Sequence, residues 1–103
     1  MQEGKLVNDY VGEGQSRYYS FSILNDSSVR NITFKLNTIH GDADIYVSRI
    51  HKYPGKLVYE KSSVRANDII DQVYFDDDKV SATTYYVVVL SGQFSTYTLS
   101  VSV

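Results

Sequence analysis

The sequence predicts an all-β fold: an antiparallel β-sandwich, jelly-roll-like, of seven to eight strands, as a single domain over residues 1–103. Three observations predict it. Apolar side chains recur at every second position, so that one face of each segment turns to a core and the other to water. Turn-forming clusters interrupt these segments at intervals of roughly 8–12 residues. That spacing is too short for the crossovers a parallel sheet needs, and no segment carries a sustained helical stripe.

The elements follow in order. Leu6 to Tyr10 is a short opening strand. Tyr19, Phe21 and Ile23 alternate with polar neighbours, as do Ile32, Phe34 and Leu36, and then Ala43, Ile45 and Val47. Leu57 with Tyr59, and Val73 with Phe75, continue the pattern, and Tyr97, Leu99, Val101 and Val103 close it. Between them lie Gly12-Glu13-Gly14, Asn25-Asp26-Ser27-Ser28, His40-Gly41-Asp42, Tyr53-Pro54-Gly55, Asp76-Asp77-Asp78-Lys79 and Ser91-Gly92-Gln93. All are turn chemistry. A single helical turn is expected only within Ser62 to Asp68.

One segment breaks the alternation. Thr84-Tyr85-Tyr86-Val87-Val88-Val89-Leu90 is apolar on both parities. Either Tyr86, Val88 and Leu90 face the core and Tyr85, Val87 and Val89 face out, or the reverse. A strand apolar on both faces is normally covered on both. A loop or terminal strand folded over the outer side is one reading; an exposed apolar patch for a neighbouring domain or partner is the other.

Composition excludes more than it selects. The chain has 43% hydrophobic and 21% charged residues and a net charge of −2, which is globular and gives no electrostatic reason to expect nucleic acid. There is no cysteine, hence no disulfide or thiolate metal site. No apolar run reaches the ~20 residues of a membrane span or resembles a leader peptide, so membrane insertion is not expected. The opening Met1-Gln2-Glu3-Gly4 suits a module taken from a longer polypeptide. Ten tyrosines against no tryptophan is the compositional oddity. Tyr10, Tyr18, Tyr46, Tyr53, Tyr74 and Tyr85 fall on outward parity or in loops, where rings could stack on a polymer or clamp a peptide.

The ordered set Tyr18-Tyr19-Ser20-Phe21-Ser22-Ile23, Gly41-Asp42-Ala43-Asp44-Ile45-Tyr46-Val47, Tyr53-Pro54-Gly55, Asn67-Asp68-Ile69, Thr84-Tyr85-Tyr86-Val87-Val88-Val89 and Tyr97-Thr98-Leu99-Ser100-Val101 resembles the bacterial pre-peptidase C-terminal domain family. The resemblance runs from about Asp9 to Val103, and its most specific part is Gly41-Asp42-Ala43-Asp44. It implies a non-catalytic accessory sandwich, secreted or at the cell surface, appended to larger proteins that are often hydrolases. Related collagen-binding domains of clostridial collagenases use surface tyrosines and calcium. This sequence departs from them in two places. Their tyrosine-bearing strand reads Tyr85-Tyr86-Val87-Val88-Val89-Leu90 here, and their acidic N-terminal segment is reduced to Glu3, Asn8 and Asp9.

Calcium is the one ion the remaining residues suggest. Asp42 and Asp44 share a strand face after Gly41, and Asp76-Asp77-Asp78 is the only dense acidic run, with Asp71 nearby in sequence. Oxygen-rich clusters of this kind hold hard cations. The structural alternative makes Asp42 a turn cap, Asp44 an anchor for a neighbouring loop, and the acidic run a solvated turn. No other cofactor is expected. Catalysis lacks a constellation: only His40 and His51 could serve as neutral-pH bases, with no Gly-x-Ser-x-Gly elbow and no paired histidine ligands. Asn25 and Asn31 each head an Asn-x-Ser/Thr acceptor pattern.

The function expected is therefore a non-catalytic extracellular module. Tyr18, Tyr46, Tyr53, Tyr85, Val87 and Val89 are its surface candidates, and Asp42, Asp44, Asp76, Asp77 and Asp78 are candidate calcium ligands. Its partner would be a neighbouring domain of the same polypeptide, or an extracellular polymer or protein. A calcium-dependent carbohydrate- or matrix-binding module and a self-associating fibre subunit are the alternatives.

Overall fold

The computed structural model describes Met1 and residues 4–23, 31–63, 70–76 and 83–103, with Ile70 by its backbone. Eight strands are present: β1 (Val7–Val11), β2 (Ser16–Ser22), β3 (Ile32–His40), β4 (Asp44–Ser48), β5 (Lys61–Ser63), β6 (Ile70–Phe75), β7 (Thr84–Leu90) and β8 (Ser95–Ser102). They form two four-stranded antiparallel sheets, ordered β1-β8-β3-β6 and β2-β7-β4-β5. First pairs with last, second with seventh, third with sixth and fourth with fifth. This is the strand order of a jelly roll, in which one long hairpin is wound so that its rungs alternate between two layers. No helix occurs among the described residues, and hence none long and apolar enough to cross a membrane.

The alternation seen in the sequence is the inside-outside alternation of the sandwich. Ile32, Phe34 and Leu36 of β3 and Tyr97, Leu99 and Val101 of β8 point inward from the first sheet. Ile45 and Val47 of β4 meet them from the second. Each such side chain contributes on the order of 1.5–3 kcal/mol by leaving water. At the centre, Tyr85 packs its ring 5.6 Å from Phe34 and 5.1 Å from Phe75, both rings in the facing sheet.

This settles the parity of β7 against the expectation that Tyr85, Val87 and Val89 face out. All three are fully buried in the core. Val88, on the opposite parity, is also 0% exposed. Val88 is flanked in register by Tyr18 and Tyr46, and the β4–β5 connection, residues 49–60, packs on those two rings. From it Tyr59 packs edge-on against Tyr46 at 5.1 Å, and Tyr53 against Tyr18 at 5.4 Å. Ser48 fixes the start of the connection, its Oγ accepting from the Ile50 and His51 amides at 3.0 Å. Tyr46, expected on the surface, is consequently 7% exposed.

Two further expectations change. Leu57–Tyr59 is not a strand: only an isolated Gly55–Val58 bridge forms there, and Leu57 is 96% exposed. The strand that pairs with β4 is β5, and its Ser62 and Ser63 occupy the start of the expected helical turn. The rest of that turn lies outside the described residues. Arg49 and Glu60 clasp the two ends of the connection. The guanidinium reaches the Glu60 carboxylate at 2.9 Å and lies 4.6 Å over the Phe75 ring.

Candidate functional site

The two outer faces are built differently, and that difference locates the site. On the second sheet, the register aligns Tyr18 of β2 with Val88 of β7, Tyr46 of β4 and Ser62 of β5, and Ser20 with Tyr86 and Ser48. The connection packs on this face through Tyr59 at Tyr46 and through Tyr53 at Tyr18. Tyr18 is 50% exposed and Tyr53 66%. Beside these two rings, which touch edge-on, opens a cleft of about 180 Å³ lined by Tyr18, Tyr19, Ser20, Lys52, Tyr53 and Tyr86. Lys52 Nζ stands 5.7 Å from the Tyr53 ring centre. Exposed aromatic surface, hydroxyl groups and one flexible cation can hold a planar or ring-shaped segment by packing and hydrogen bonding. Of the six surface candidates, Tyr18 and Tyr53 are thus together and accessible. Tyr46 lies beneath the connection, and Tyr85, Val87 and Val89 lie in the core. Tyr86 is the residue sequence reasoning left out: parity would have included it had the covered face been identifiable.

Behind the cleft, Tyr19 points the other way and joins the two sheets. Its hydroxyl donates to Asp9 Oδ2 at 2.7 Å and sits 2.6 Å from the Tyr97 hydroxyl. Since Tyr19 has one proton and gives it to Asp9, Tyr97 donates to Tyr19. Burial, with the chain of hydrogen bonds, holds the Tyr19 phenol above its ordinary range, and burial pushes Tyr97 up to about 12. Partial burial would raise Asp9, but the bonds from Tyr19 and the Tyr10 amide and the charge of Arg17 prevail and hold its carboxyl below the usual range. Asp9, the described acidic residue of the shortened N-terminal segment, is therefore engaged inside the fold.

Gly41-Asp42 belongs to the end of the sandwich. Gly41 has φ +89°, and an added Cβ would collide with Ser95 Oγ and come within 2.5 Å of the Phe94 carbonyl oxygen. The next residue shows why the approach is close: the Asp42 amide donates to Ser95 Oγ at 3.1 Å, and its carbonyl accepts from Ser91 Oγ at 2.9 Å. So the backbone of Asp42, rather than its carboxylate, ties the β3–β4 turn to the β7–β8 turn. Asp44 is held by no loop amide among the described residues. Its carboxyl is raised to about 6 by partial burial and by the neighbouring charges of Asp42 and Asp71, with Lys56 opposing. Asp71 is buried and accepts from Ser63 Oγ at 2.7 Å, which stitches β5 to β6 across the layers.

Among the described residues, no three acidic or histidine side chains converge as a metal-holding group. Asp76 is exposed at the end of β6, and Asp77 and Asp78 lie outside the described residues, as does Asn25; Asn31 is exposed. His40 and His51 are exposed, and no hydrogen bond described joins either imidazole to a serine.

The comparisons bear on the fold. A pre-peptidase C-terminal domain, that of a collagenase from Bacillus anthracis, superposes with a TM-score of 0.68 over 97% of this chain and 90% of its own. The fold is that of a pre-peptidase C-terminal domain. Identity to the Bacillus anthracis domain is 18%, so the likeness is one of architecture rather than of surface. No family model matches the chain, and no curated protein matches it.

Proposed function

We propose that this chain is a non-catalytic accessory module of a larger extracellular or cell-surface protein. It makes contact through the tyrosine cleft with a neighbouring domain of the same polypeptide or with a protein polymer. The observation that carries this reading is the exposure of Tyr18 and Tyr53 at the cleft, on a sheet face where Val88 and Tyr46 are buried. Aromatic rings exposed in a cleft are the usual anchors of a contact made by area rather than charge. The likeness to an accessory domain of a collagenase supports the setting.

Amide chemical-shift mapping of the labelled domain tests it, with the adjoining domain of its parent polypeptide as one probe and gelatin as a soluble protein polymer. Shifts should centre on Tyr18, Ser20, Tyr53 and Tyr86. Tyr18→Ala with Tyr53→Ala should weaken the interaction tenfold or more while moving the melting temperature little. Binding that maps elsewhere, or that survives both truncations, refutes the assignment.

A further inference from the structure

The outer face of the first sheet carries no covering loop among the described residues, and its chemistry differs from that of the cleft. Across β1, β8, β3 and β6 the register sets out ordered rows. Asn8, Thr98 and Asn37 lie side by side, with Ile70 paired to Asn37 at the end of the row; Ser100, Lys35 and Gln72 form the next row; Ser102, Thr33 and Tyr74 form the third. Tyr10 and Thr96 begin the array, with Phe94 stacked on Tyr10 at 5.9 Å and 28°. No carboxylate stands on this face within the strands, although the chain has 12 acidic residues. Most outward groups of the rows are hydroxyls and amides, which both donate and accept; the basic side chains are Lys35, His40 and, over the Tyr10 ring at 4.6 Å, Arg17. Within the rows the large exposed apolar groups are rings at the two far corners, and Ile39, at the irregularity of β3, is 59% exposed beyond them. At ~3.4 Å per residue and ~4.8 Å per strand, Tyr10 and Tyr74 stand roughly 25 Å apart on the diagonal.

We infer that this face is a second binding site, and that its occupant is a neutral polysaccharide chain. A sugar polymer presents hydroxyls at its edges and C–H groups on its ring faces. It can therefore hydrogen-bond to the middle rows while its ends lie on Tyr10–Phe94 and Tyr74. A stable protein partner would want an apolar centre with a polar rim, and this face has the reverse order. A nucleic acid would want a basic stripe, and Lys35 is the single lysine within the rows. The site does not depend on the tyrosine cleft, which belongs to the other sheet.

Depletion of the domain from solution by microcrystalline cellulose, chitin and insoluble xylan tests the inference. At least one of these should deplete it. Thr98→Glu, which puts a charge at the centre of the rows, should then reduce binding at least tenfold, and Tyr74→Ala severalfold. Glu13→Gln, in the β1–β2 turn, should bind as the parent does. Circular dichroism melts confirm that each variant is folded; Tyr74→Ala, at an exposed position, decides the matter if Thr98→Glu is not. No depletion by any of the three solids overturns the inference, as does equal depletion of parent and both face variants. Concentration-dependent self-association in sedimentation velocity, abolished by Thr98→Glu, would also overturn it, because the face would then belong to a second copy.

Discussion

Replacing Gly41 by alanine probes how the two turns at the end of the sandwich are held together. Two effects add. The backbone at φ +89° lies in the left-handed region, where a Cβ costs about 1–2 kcal/mol. The Cβ would also meet Ser95 Oγ, the Phe94 carbonyl and, at 2.9 Å, Ser95 Cα, two of which are backbone atoms that cannot swing aside. Overpacking of that kind costs about 1–3 kcal/mol. The sum, about 2–5 kcal/mol, is a large share of the ~5–15 kcal/mol typical of a domain's whole stability. At ~4–8 °C per kcal/mol for a domain near this size, the melting temperature should fall by at least ~8 °C. Gly14→Ala is the matched control: it has φ +70° with no atom within 4 Å of the added Cβ, so only the backbone contribution applies. Thermal denaturation followed by circular dichroism should therefore separate the two variants by about 1–3 kcal/mol. Equal losses would refute the claim that close approach of the turns, and not backbone conformation alone, requires glycine at position 41.

Two further outcomes are expected. Asp44→Asn should stabilise the protein at pH 7 by about 1–2 kcal/mol after allowance for solvent screening, with little effect at pH 4. The sign follows from a folded carboxyl raised to about 6 above its ordinary 3.8: the folded state holds the proton more tightly, so this stability is full below ~3.8 and lost as pH rises through ~6. Melts at pH 4, 5.5 and 7 check it, and a destabilising effect at pH 7 would show that the ionised carboxylate has a partner. Tyr19→Phe and Tyr97→Phe should each destabilise by about 1–2 kcal/mol, and the double variant by less than the sum, because both break one hydrogen-bonded chain. In Tyr19→Phe the Asp9 carboxyl should also titrate higher, as seen by NMR; additive losses with an unmoved Asp9 would dismiss the chain.

Local alternation and turn chemistry carried most of the architecture. The inward-facing sets on β3, β4 and β8 and the turns at Gly12–Gly14 and Ser91–Gln93 are where period two and glycine placement put them. The Gly41-Asp42-Ala43-Asp44 signature marked the right place in the fold, although the work there is done by glycine's bare Cα and Asp42's backbone. Tyr18 and Tyr53 were legible as accessible rings because one lies on an outward parity beside serines and the other in a turn.

The parity of β7 was not legible, because valine on both faces carries no preference between them. Only tertiary packing could break the tie: Tyr59 packs on Tyr46 while Val88 is buried beside it, and Tyr85 packs against both Phe34 and Phe75. The same folding moved the fifth strand from the apolar Leu57–Tyr59 to the polar Lys61–Ser63, where pairing with β4 and the Ser63–Asp71 bond outweigh side-chain hydrophobicity. Sequence by itself marked the strands other than β5, since alternation is a matter of neighbours along the chain. Where the 49–60 connection packs was decided by tertiary contacts that no local pattern encodes, and those contacts, Tyr59 on Tyr46 and Tyr53 on Tyr18, shape the cleft on the second sheet.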